Sequence, residues 1–406
     1  MRKIYVGFLS LAALISFAYL MMLGWYATPC VDDWGFVADV EKIGVLGLLK
    51  NMYLTWQPRW SCFFVDGFIF KFFGRAEHLW LFILFQLVIG YGAAFLLLKS
   101  TCRQFKYWES LVFAVVLTNL GIMALPEIST FYWLCTANYI HEIWATMYLC
   151  YFVFFCKKDA IQWIGSIICS LYLGGCAENY TPVLIAVLGL VWLSLLIRNK
   201  TWKFYADKKT NLLFYSLLIM GIGFVVVLLG PGNKVRTTDL PESRDFMHHF
   251  ALLPYIKQVL KASVIIALRL LSKGWYFVCA LPIGYYLGGQ RMASVCAGIG
   301  YRFAVATSLM IFTILITVCA SVFGIGWYAP MRANSFMSFV VLVWIVYVGY
   351  LLGKRFYIRK WAHTTLLLSS MAIIATSILY IAVEYPIVRD YNEQVLAIHH
   401  QAQEQV

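Results

Sequence analysis

Two adjacent carboxylates, Asp32 and Asp33, stand in the run Thr28-Pro29-Cys30-Val31-Asp32-Asp33-Trp34, just after a long apolar stretch that Pro29 ends. Such a pair at a helix exit can act as a general base or hold a divalent metal. It can equally be a solvated acidic cap. Other reactive types recur in short motifs: Trp56-Gln57-Pro58-Arg59-Trp60, Glu127 after Pro126, Asn138-Tyr139, Glu178-Asn179-Tyr180, Gly230-Pro231-Gly232-Asn233-Lys234-Val235-Arg236 and Ala329-Pro330-Met331-Arg332. An arginine grips phosphate through two parallel N–H bonds, and a lysine offers a point charge. Arg59, Lys234, Arg236 and Arg332 are therefore candidate phosphate contacts, or ordinary interfacial cations. Trp34, Trp56, Trp60 and Trp133 could stack on a sugar ring, although tryptophan collects at membrane interfaces in any case. Glu127 and Glu178 either place a carboxylate or cap the next helix. His141-Glu142 is not a zinc-binding HExxH, because Ala145 occupies the second histidine position.

The elements that must position these residues are membrane helices. Of 406 residues, 62% are hydrophobic and 13% charged, against roughly half and a quarter in soluble domains. Apolar blocks of about 17–23 residues match a hydrocarbon core of ~30 Å, and strict apolar/polar alternation is absent. The fold class expected is all-α, a polytopic bundle of eleven spans near 4–25, 78–98, 108–125, 139–156, 161–177, 181–197, 211–230, 274–289, 303–323, 335–353 and 361–383. Residues 1–383 form one transmembrane domain and 384–406 a short tail. The first apolar run is too long for a signal peptide and reads as an uncleaved span. The eleven cysteines show no CxxC pair, so no zinc site is implied. Cys30 and Cys62 could pair, but two free thiols are the preferred reading.

Charge sets the expected orientation. Eighteen of the 32 basic residues, but three of the 19 acids, fall on one set of loops. By the positive-inside rule those loops are cytoplasmic, with the N-terminus inside and the C-terminus outside. The outer face then holds the long loops 26–77 and 231–273 and the candidate residues above. Residues 39–56 read as a short helix on the bilayer surface, 62–73 as an apolar stretch too short and charged to span, and 246–273 as an interfacial helix before the eighth span. In an extended segment Asp32 and Asp33 would point to opposite sides, and Asp32, nearer the first span, is the favoured base.

An acidic pair after the first span, two surface helices and then the second span resembles the GT-C class of membrane glycosyltransferases. The motifs at Arg59-Trp60, Asn138-Tyr139, Glu178-Asn179-Tyr180, Gly230 to Arg236 and Ala329 to Arg332 look like those of bacterial serotype-converting O-antigen glucosyltransferases. The resemblance implies an inner-membrane enzyme with its site facing the periplasm. It would transfer a hexose, glucose by preference, from undecaprenyl-phosphate-sugar to O-antigen of lipopolysaccharide or another lipid-linked or surface glycan, with inversion. Asp32 or Asp33 would be catalytic. Arg59, Lys234, Arg236 and Arg332 would hold the donor phosphate. Trp34, Trp60, Glu127, Asn138, Tyr139, Glu178, Asn179 and Asn233 are candidate substrate contacts. Any metal would sit on Asp32 and Asp33. Membrane lipids are the other partners, and nucleic acid is not one, because the basic residues sit in short connectors. A lipid-linked-sugar flippase or transporter is the rival reading, and a surface-polysaccharide polymerase or ligase a neighbouring one. A non-catalytic anchoring subunit would leave the clustered acids unexplained.

Overall fold

Every regular element among the described residues is a helix. The computed structural model describes residues 2–27, 31–75, 78–200, 207–239, 252–289, 298–325 and 331–404. Seven helices are long and apolar enough to cross a membrane. They are α1 (Arg2–Tyr26), α4 (Leu79–Thr101), α9 (Thr181–Arg198), α10 (Lys208–Leu228), α14 (Ile299–Ile325), α15 (Ser335–Phe356) and α16 (Arg359–Glu404). Helices α12 (Leu252–Ser272) and α13 (Gly274–Gly289) meet at a 65° bend and count together as an eighth candidate. The chain is therefore a multi-pass helical membrane protein. Among the described residues, seven or eight segments meet the length and composition of a full span, against the eleven expected. The other three expected spans correspond to shorter helices, α5 (Tyr107–Met123), α7 (Asn138–Phe154) and α8 (Asp159–Gly174), of 17, 17 and 16 residues.

Helices α13 and α15 pack backbone to backbone. Gly284-x-x-x-Gly288 on one faces Gly349-x-x-x-Gly353 on the other. A Cβ at Gly288 would fall 2.1 Å from the Tyr350 carbonyl oxygen, and one at Gly353 2.1 Å from that of Tyr285. Small residues four apart let membrane helices approach this closely, where van der Waals contact replaces the hydrophobic effect as the driving force. This spacing was legible in the sequence and was passed over there.

Helices α1 and α16 run parallel. Ring pairs ascend both helices in the same order: Tyr5–His363, Tyr19–Tyr380 and Tyr26–Tyr385. The N-terminus and residue 385 thus lie toward opposite ends of the bundle. The tail continues α16 as helix to Glu404, giving 46 residues, or about 69 Å at ~1.5 Å each.

Two expectations about the long loops change. The surface helix read at 39–56 starts earlier: α2 (Val31–Thr55) takes in the acidic pair and is broken at Gly44, whose φ of 73° and ψ of 171° suit only glycine. The stretch 62–73 is α3 (Trp60–Phe73), packed against α2. The region 231–273 is largely helical where described, comprising α11 (Gly232–Asp239) and α12; residues 240–251 lie outside the described residues.

Candidate functional site

Asp32 and Asp33 occupy the first turn of α2, not an extended segment. Successive helical residues point about 100° apart, and here one carboxylate turns outward and the other inward. Asp32 is exposed and Asp33 fully buried. The Cys135 N–H donates to Asp33 Oδ1 at 2.7 Å and the Leu134 N–H to Oδ2 at 3.4 Å. These amides open a short 3-10 helix, Leu134–Thr136, whose first N–H groups have no partner within it. Asp33 therefore ties the start of α2 to the segment between α6 (Ser129–Tyr132) and α7.

The same segment leads to the second half of the site. Tyr139, on the first turn of α7, accepts a bond from Arg59 Nη1 at 3.3 Å. Arg59 stands just before α3 and is buried. Its Nε and Nη2 both donate to Glu178 Oε2, at 2.8 and 2.6 Å. Burial alone would lower the guanidinium pKa, but the charges of Glu178 and Tyr139 and the hydrogen bonds to them together outweigh it and hold Arg59 well above its ordinary value. Glu178 is thus the charged partner of Arg59 in this structure.

Residues 175–180 form a tight turn between α8 and α9, pinned at several points. The Ala177 N–H donates to Glu142 Oε1 at 2.9 Å, and the Tyr180 and Thr146 hydroxyls lie 2.7 Å apart. Asn179 Nδ2 donates to the Ala333 carbonyl at 2.8 Å, which draws in the 3-10 helix Met331–Asn334 carrying half-buried Arg332. The structure thus links Asp33, Arg59, Tyr139, Glu178, Asn179 and the Arg332 segment.

Other candidates have structural duties. The Trp60 indole donates to the Gly223 carbonyl at 3.4 Å and packs against Gly175, so it is wedged between α8 and α10. Asn233 Nδ2 donates to the Val227 and Leu228 carbonyls, at 2.8 and 3.2 Å, closing the end of α10. Trp133 meets the Tyr132 ring edge-on, Trp34 is half-buried and Glu127 is exposed. Asn138 is buried, and its Oδ1 has no hydrogen-bond partner among the described residues. Lys234 is exposed on α11, which starts against Tyr53 and Trp56 of the α2 end. The Arg236 side chain, Cys30 with its possible disulfide, and Ala329-Pro330 lie outside the described residues.

Sequence reasoning missed a buried polar cluster behind Arg59. Asp66 of α3, Glu142 of α7, Cys62 and Cys176 are all buried. Burial first, and then the Glu142 charge, push the Asp66 carboxyl well above the usual carboxylate range, with Arg59 opposing. Ligand atoms of Cys62, Glu142 and Cys176 lie within 4.8 Å of one another. Cys176 Sγ donates to the Tyr172 carbonyl at 3.0 Å and lies 3.7 Å from the Ser61 hydroxyl. We assign them to packing. The signal available in the sequence was an aspartate inside the aromatic run of α3.

Comparison with protein-family models, curated proteins and solved structures returns no match for this chain.

Proposed function

We propose that this protein is a membrane glycosyltransferase of GT-C type, using a polyprenyl-phosphate sugar as donor and a sugar hydroxyl of a lipid-linked or surface glycan as acceptor. The observation that carries this reading is the asymmetric acidic pair: Asp33 is buried and held by two backbone amides, which fixes exposed Asp32 at the entrance of α2, at the end of the bundle where the Arg59–Glu178 cluster lies. In the reaction Asp32 takes the acceptor proton as the hydroxyl oxygen attacks the anomeric carbon. The bond from that carbon to the phosphate oxygen breaks, the lipid phosphate leaves, and the carbon is inverted. Lys234, Arg236 and Arg332 would stabilise the leaving phosphate. Arg59 and Glu178 position the segment between them.

The full reading has eleven crossings: the seven long helices, the bent α12–α13 pair as one, and α5, α7 and α8. It places the N-terminus in the cytoplasm of a bacterial inner membrane and the site on the periplasmic face. Glucose and O-antigen are the preferred donor sugar and acceptor; a polymerase or ligase of surface polysaccharide would use the same acid chemistry. Mass analysis of surface glycan from cells with the gene, without it, and with Asp32→Asn at matched expression tests the proposal. An unchanged glycan in the Asn variant would refute it.

One observation favours a second reading. Asp66 and Glu142 are fully buried carboxylates beside Arg59, and ionisable groups inside a bundle often mark transport paths. A flippase of lipid-linked sugars would need these groups and not Asp32. Loss of glycan in Glu142→Gln but not in Asp32→Asn would favour transport.

A further inference from the structure

The end of the bundle opposite the acidic pair contains a second possible site. There α4, α7, α13 and α15 finish and α10 and α14 begin. Between them lies a pocket of about 890 Å³ whose lining among the described residues includes four cations, Arg103, Lys209, Arg302 and Lys354, and no carboxylate. Lys354 also lies over the Tyr350 ring, 5.3 Å from its centroid. Like charges do not gather around a common space without an electrostatic cost, and a bound anion offsets it.

This pocket adjoins a second one. Val343 and Tyr347 line both. The second is an apolar cleft of about 440 Å³ between α7, α9, α14 and α15, rising from Tyr347 to Phe336 and Tyr180. Along α15 that is eleven residues, or about 16 Å at ~1.5 Å per residue. Its polar side chains are few, Thr146, Tyr180 and Thr313 chief among them, and two of these already bond each other. A cationic mouth over a narrow apolar cleft has the chemistry of one kind of ligand: an anionic head on an aliphatic chain.

We infer that this protein binds an anionic diacyl phospholipid at its basic end, the phosphate among Arg103, Lys209, Arg302 and Lys354 and one acyl chain in the cleft. Basic pockets between membrane helices hold such headgroups in general. The inference does not depend on the proposed glycosyl transfer, because the two sites lie at opposite ends of the bundle.

The test uses the full chain, purified in a neutral detergent and delipidated. Native mass spectrometry and thermal unfolding are followed while dioleoyl phosphatidylglycerol, dioleoyl phosphatidylcholine, undecaprenyl phosphate or inorganic phosphate is added. The expected result is retention of phosphatidylglycerol at concentrations roughly tenfold or more below those needed for phosphatidylcholine. Arg302→Glu with Lys354→Glu should abolish that preference, since each basic residue near an anionic lipid contributes appreciably. Val343→Trp, at the junction of the two spaces, should weaken lipid retention while the cations remain. Equal retention of both phospholipids would overturn the assignment. So would protection by inorganic phosphate alone, which would mark a free-anion pocket, or preferential retention of undecaprenyl phosphate, which would mark a carrier-lipid site. If the double charge reversal fails to fold, Arg302→Gln with Lys354→Gln is read in its place, and an undiminished preference there also refutes it.

Discussion

Arg59 and Glu178 form a two-pronged ion pair between a buried guanidinium and a half-buried carboxylate: Nε and Nη2 of the arginine both donate to the same carboxylate oxygen, across 119 residues of chain. It joins the start of α3 to the turn before α9, with Tyr139 as a third member. Removing Glu178 leaves the buried guanidinium without its charged partner, at a cost below the ~3–5 kcal/mol of a fully buried pair, because the carboxylate is partly solvated. Arg59→Ala and Glu178→Ala should therefore lower the unfolding temperature sharply. Replacing both by apolar residues, Arg59→Met with Glu178→Leu, should recover much of that loss while activity stays absent. Fluorescence-detected size exclusion of heated detergent extracts measures this. A double variant no more stable than the singles would mean that the pair does not act as a unit.

The acidic residues should separate by phenotype. Asp33→Asn puts an amide where two N–H groups now meet a buried carboxylate, so protein level and thermal stability should both fall. Asp32→Asn changes an exposed group and should leave stability within about 0.5 kcal/mol. Its glycan modification should fall by ~10²–10⁴-fold, the usual worth of a general base. Melting curves and glycan mass analysis on the two variants decide between these outcomes. A stable Asp33→Asn protein would remove the positioning role given to Asp33.

The glycine contact between α13 and α15 predicts a size-dependent loss. Any Cβ at Gly288 meets the Tyr350 carbonyl, a backbone atom that cannot swing aside. Gly288→Ala should destabilise measurably, and Gly288→Leu should exceed the ~1–3 kcal/mol typical of overpacking. Gly300, beside which a Cβ would meet nothing, is the control. Equal melting temperatures for Gly288→Leu and Gly300→Leu would mean that the helices do not touch there.

The parallel course of α1 and α16 predicts that the two chain ends lie on opposite sides of the membrane. The Tyr19 hydroxyl donates to Glu384 at 2.7 Å, fixing the register of the two helices. A periplasm-only reporter fused to the C-terminus should be active and a cytoplasm-only reporter silent, with the reverse result at the N-terminus. Matching reporter signals at both ends would rule out an odd number of crossings.

The helical class, the membrane setting and the chemical contrast between acidic and basic connectors were legible in the sequence. Each depends on local composition: the length of an apolar run and the charges on its flanks. The motif Asp32-Asp33 could be located the same way, but not the difference between its members, which arises because the amides of Leu134 and Cys135 lie beside only one of them. Arg59 read as a candidate phosphate contact or an interfacial cation; its partner Glu178, 119 residues on, arrives through the packing of α3 against α8. Asp66 and Glu142, each an isolated carboxylate in an apolar helix, become a cluster only when α3 and α7 come together. The two glycine motifs show the same limit. Their spacing was visible in each helix, but tertiary structure alone decided that they face each other, because close backbone approach is a property of the pair.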